Sequence, residues 1–143
     1  MNGRAPRRLV AVLGAVLAAL AGGCDSYESA VPSCSGQDNC FTYTATDPAR
    51  GSSFAGTLVF DEFPLSGAVS GTWAVERVGE GATASHPTGS GRFTGSSAVA
   101  SITLALTGGS AVATLEGDRS AVLIAGEWSS SRGGGPFSAT LRR

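Results

Sequence analysis

The sequence predicts an all-β domain: a small antiparallel meander that closes into an eight-stranded barrel, with a two-sheet β-sandwich as the alternative arrangement. Three observations carry this expectation. Apolar and polar residues alternate from Phe41 onward, most clearly at Ile102, Leu104 and Leu106. Turn-forming segments separate such runs at short intervals, among them Thr107–Ser110, Gly117–Ser120 and Ser131–Pro136. No stretch beyond the first 23 residues shows a helical apolar stripe with a cap.

In chain order, the first element is a leader over residues 1–23. Arg4, Arg7 and Arg8 precede the apolar run Leu9–Leu20, and the small residues Ala21, Gly22 and Gly23 lead to Cys24 and Asp25. A basic start, an apolar middle and small residues before a cut point describe an export signal. A cysteine directly after the small residues resembles the lipobox of bacterial lipoproteins. Ala21 stands where that family prefers leucine, and Leu20 lies one position earlier. The resemblance implies a diacylglyceryl group on Cys24, cleavage before it, and a protein held to a membrane of the bacterial cell envelope with its domain outside the cytoplasm. Three other readings of the run compete; one, a twin-arginine signal at Arg7-Arg8, lacks the Ser/Thr usually found before that pair. A spanning anchor needs about 20 apolar residues, and Gly22–Gly23 close this one early. An ordinary secretory signal cut near Ala21 leaves Cys24 free for a disulfide.

The second element, residues 24–39, lacks apolar periodicity and reads as a tether followed by a disulfide loop. Three cysteines are an odd number for an exported chain. If Cys24 carries lipid, Cys34 and Cys40 remain as a pair, and an oxidising compartment favours a bond between them. A metal site is the weaker reading, because no second cysteine pair or nearby histidine accompanies them. Closing so short a loop contributes about 2 kcal/mol by loop-length scaling.

The third element, 40–143, is one domain's worth of chain. Strands are predicted near 41–46, 54–62, 67–78, 91–96, 99–107, 111–117, 121–129 and 136–142. A meander of hairpins lets the last strand return to the first, which removes the open edges of the sheet. Gly56, Gly71 and Gly126 sit inside strands and suit the bends that a small barrel needs. A weak internal repeat points the same way: Gly71-Thr-Trp73 precedes Gly91-Arg-Phe93, and Gly126-Glu-Trp128 precedes Pro136-Phe137. The Gly-x-Trp element is similar to one in lipocalin and avidin barrels. It falls here in the third and seventh strands rather than near the first, so no ligand residues are carried over.

Charge narrows the partners. After loss of the leader, seven arginines face eleven acids, a net charge of −4 with no basic stripe and no lysine. That predicts no nucleic-acid partner. The residues that carry chemistry are few. His86 is the only histidine, in the long 79–91 connection, and no Gly-x-Ser-x-Gly elbow accompanies it. It reads as an exposed loop side chain. Gly89–Gly95 is glycine-rich without the strand-before, helix-after setting of a phosphate loop. Asp61 and Glu62 are adjacent and face opposite sides of a strand; Glu116 and Asp118 flank Gly117 at a predicted turn. Neither pair suits glycoside hydrolysis. The expectation is therefore a protein that is not an enzyme, with no catalytic residues, no cofactor and no metal.

Trp73 and Trp128 are the candidate binding aromatics, able to stack on a sugar or line a pocket, although their alternation with Val75 and Ile124 suits a core. Two function classes follow. One is a structural or protein-interaction lipoprotein with another envelope protein as partner. The other is a barrel that holds a small apolar or glycan ligand, since eight strands enclose either packed side chains or one small molecule. The packing of Phe54, Leu58, Phe60, Trp73, Phe93, Leu104, Ile124, Trp128 and Phe137 decides between them, and the 79–91 loop is the expected lid or contact surface.

Overall fold

A computed structural model describes residues 31–79 and 85–142. Eight antiparallel strands run in sequence order: β1 (Cys40–Asp47), β2 (Ser52–Phe60), β3 (Gly67–Val78), β4 (Gly89–Ser97), β5 (Ser101–Gly108), β6 (Ala113–Arg119), β7 (Leu123–Ser130) and β8 (Gly133–Leu141). Each pairs with the next, and β8 pairs back onto β1 with Phe41 opposite Leu141 and Ala45 opposite Phe137. The sheet is therefore a closed barrel and not a sandwich. Cys34 and Cys40 are disulfide-bonded with their Cα atoms 5.7 Å apart, which pins the preceding segment to the start of β1.

Alternation along the strands produces the core. In β5, Ile102, Leu104 and Leu106 are buried while Ser101 and Thr103 are exposed. Repeated around the barrel, this places one continuous cluster inside, from Phe41 and Tyr43 on β1 to Phe137 and Ala139 on β8. Gly56, Gly71 and Gly126 are sites of close backbone approach: a Cβ on any of them would stand about 2 Å from a carbonyl oxygen of the neighbouring strand.

The internal repeat is present in the pairing register. Gly71 lies opposite Phe93, and Gly126 opposite Phe137. Leu58, Trp73 and Gly91 line up across β2, β3 and β4, as Leu115, Trp128 and Gly135 do across β6, β7 and β8. Each indole crosses its glycine and donates to the strand beyond. Trp73 Nε1 donates to Thr107 O at 3.0 Å, and Trp128 Nε1 to Thr46 O at 3.0 Å. Trp73 Nε1 also lies 3.2 Å from Arg92 O. A Cβ on Gly91 would lie 2.9 Å from Trp73 Nε1, and one on Gly135 would lie 1.9 Å from Thr46 O.

Most strand ends shift by one to three residues from expectation, so that Asp61 and Glu62 fall beyond β2, and two of the shifts have a physical reason. Gly133–Gly135 belong to β8 rather than a loop, because Gly135 has to run beneath Trp128. Gly117–Arg119 extend β6 rather than turning, because Arg119 points into the barrel end.

Alanine at Gly135 should cost more than about 2 kcal/mol, since the new methyl meets backbone rather than a movable side chain. Alanine at Gly51, which has φ 63° and open space around it, should cost only the left-handed backbone penalty of about 1 kcal/mol. Chemical denaturation of the two variants measures both.

Candidate functional site

Most of the buried polar groups lie at the two ends of the barrel. At the end where β1 begins, the β2–β3 connection folds across the opening. Its Phe63 packs on Phe41 and Phe60 at ring-centroid distances of 4.9 and 4.7 Å, and Phe60 meets Phe93 at 4.8 Å. Arg119, buried at the end of β6, lies over the Phe63 ring at 3.7 Å. Its Nη1 donates to Pro64 O and to Ser97 Oγ, tying the connection to β4 and β6. Burial lowers the Arg119 pKa from its ordinary value.

The opposite end is closed by the segment before β4, and here the expectation fails. His86 is not an exposed loop residue; it is fully buried in the barrel end. Its ring stacks on Phe54 at 5.0 Å and meets Trp128 edge-on at 4.7 Å. Nδ1 is 2.7 Å from Pro87 O, and Nε2 is 2.7 Å from the Tyr43 hydroxyl. A carbonyl can only accept, so Nδ1 carries the proton and Nε2 accepts from Tyr43. Both ring nitrogens of a neutral imidazole are thereby satisfied. Desolvation holds the His86 pKa down at about 4, against a smaller upward pull from Pro87 O, and burial pushes the Tyr43 phenol up.

Beside His86, Ser85 Oγ donates to Asp47 Oδ2, and Ser130 Oγ donates to Ser85 O at 2.7 Å. The Asp47 carboxylate also accepts from Ala49 N and Arg50 Nη1, both at 3.1 Å. The Ser85 hydroxyl first, and then Arg50, hold its pKa below the usual carboxylate value. Serine, histidine and aspartate thus meet in one corner, yet not as a relay. Ser85 bonds the aspartate, while His86 bonds Tyr43 and its own chain, and all three are buried. No nucleophile–base contact is made.

The other residues singled out from sequence fall as follows. Trp73 and Trp128 are core side chains, as are Phe54, Leu58, Phe60, Phe93, Leu104, Ile124 and Phe137, all at most 4% exposed. Side chains fill the lumen. Asp61 pairs with Arg92 at 3.1 Å on the outside, and Glu116 and Asp118 are exposed on β6 rather than at a turn. Of the 79–91 connection, residues 85–87 dive inward as a plug instead of standing out as a lid. Cys24 and the leader lie outside the described residues. His86 and Arg119 were missed because their partners are distant in sequence. The one available hint was Tyr43, whose inward position on an alternating strand demands a partner for its hydroxyl. No protein-family model matches the chain, and no curated protein matches it at a significant level.

His86 gives a defined acid sensitivity. The unfolded chain takes up this proton near pH 6.5 and the folded chain only near pH 4, so protonation favours unfolding in that window. Stability should be full above pH 6.5 and fall by about 3 kcal/mol as the pH drops to about 4. With one histidine in the chain, denaturant melts at stepped pH should show this slope, and His86→Phe should flatten it.

Proposed function

We propose that this chain is a cell-envelope lipoprotein whose barrel acts through its outer surface, as a structural or protein-interaction module. In this reading the leader is removed before Cys24, Cys24 carries the lipid, and the Cys34–Cys40 bond ends a short tether at the barrel. The observation that carries the surface role is the closed interior. The nine residues that would line a ligand cavity are buried against one another, and Phe63 with Arg119 at one end and His86 at the other occupy the mouths. A lumen ligand would have to expel His86 from its hydrogen bonds to Tyr43 and Pro87 and from its contact with Trp128, each of which stabilises the apo barrel. That weighs against the small-molecule carrier. A catalytic role likewise gains nothing from a serine and a histidine that do not touch.

Mass spectrometry of the protein expressed with its leader in a bacterial host tests this reading. The expected mature chain starts at a diacylglyceryl-modified Cys24 and, in its native state, carries no further small molecule. An unmodified N-terminal residue overturns the lipoprotein reading. A co-purifying molecule of lumen size, released on unfolding, overturns the surface reading.

A further inference from the structure

The Phe63–Arg119 end of the barrel is sealed inside and carries exposed aliphatic side chains outside. The connection that turns Phe63 inward turns Leu65 outward, 68% exposed. Val99 in the β4–β5 turn is 73% exposed, and Val122 and Leu123 at the β6–β7 turn are 42% and 43% exposed. Hydrogen bonds gather these three connections on one rim. Arg119 donates from its side chain to Pro64 O and from its backbone to Ala100 O, and Leu141 N donates to Val122 O. At the opposite end the exposed aliphatics among the described residues are Val78 and Val112, on β3 and in the β5–β6 turn, with β4 between them.

We infer that this rim of aliphatic loop tips docks onto a zwitterionic lipid surface, seating the barrel end-on against the membrane that holds Cys24. The inference rests on the lipoprotein reading, and the chain's own path supports the choice of occupant. Cys34 is bonded to Cys40, the first residue of β1, so the tether joins the barrel at this same end. From the disulfide, residues 31–34 run along the outer wall beside Thr42, Ala55, Gly56 and Arg142. Cys24 lies seven positions before Val31, at most about 24 Å of extended chain. A leash that short holds the rim at high effective concentration over the bilayer, so a few aliphatic tips suffice for contact. The rim also carries the acids Glu62 and Asp118 and the base Arg142, a near balance that suits a surface without net charge.

The test uses the acylated protein reconstituted into phosphatidylcholine vesicles. An environment-sensitive fluorophore is placed on one introduced cysteine, Val99→Cys at the rim or Val112→Cys at the far end. The Val99 site should blue-shift on reconstitution and be quenched several-fold more by bilayer-embedded quenchers than the Val112 site. In a Leu65→Ser, Val99→Ser, Val122→Ser background, a label at Leu123→Cys should return to the aqueous signal while the protein stays vesicle-bound through its lipid. If Cys24 is acylated but the Val99 label remains aqueous, the docking inference fails and the lipoprotein reading stands. If Cys24 is unmodified, the lipoprotein reading fails and takes the inference with it. A blue shift of Val99 that depends on protein concentration without vesicles overturns the lipid partner in favour of a second copy of the chain.

Discussion

Two indole N–H groups hold the interior of this barrel in register. Trp73 and Trp128 each lie across a glycine on the next strand and bond a carbonyl on the strand after it. A buried indole N–H without an acceptor would lose about 1–3 kcal/mol, so each bond favours one placement of three strands at once. The glycine is the other half of the device. Any side chain at Gly91 or Gly135 would enter the space that the indole or a backbone oxygen already takes. One Trp links β3 to β5, and the other links β7 to β1 across the β8–β1 pairing that closes the sheet.

With the middle filled by these rings, the ends need only short plugs, and the two differ chemically. Phe63 and Arg119 form an aromatic and cationic seal. His86 forms a neutral polar seal whose hydrogen bonds depend on its staying unprotonated. Filling the lumen moves any contact with the outside world to the loops and the outer wall. That is the physical basis for the proposed surface role.

Much of the fold was legible because alternation has a local cause. Ile102, Leu104 and Leu106 announce their strand from spacing alone, and the Gly-x-Trp repeat announced equivalent hairpins that the register bears out. What stayed hidden depends on contacts between residues far apart in the chain. The glycines Gly133–Gly135 read as a loop until Trp128 is seen to need the space above them. Arg119 reads as a turn residue until Pro64, 55 positions away, is seen to accept its hydrogen bond. His86 reads as loop decoration until Tyr43, 43 positions away, is found to require an acceptor. The candidate site was thus less legible than the fold, since plugs are defined by what they fill.

The central claim is that the lumen is packed by the protein's own side chains and locked by the two indole bonds. Hydrogen exchange of the Trp73 and Trp128 indole N–H groups, followed by NMR at neutral pH, measures it directly. The account predicts that both exchange as slowly as the most protected strand amides, opening only with global unfolding. Rapid exchange of either indole while the amides of β3 and β7 remain protected would contradict it, because water would then reach the interior of a folded barrel.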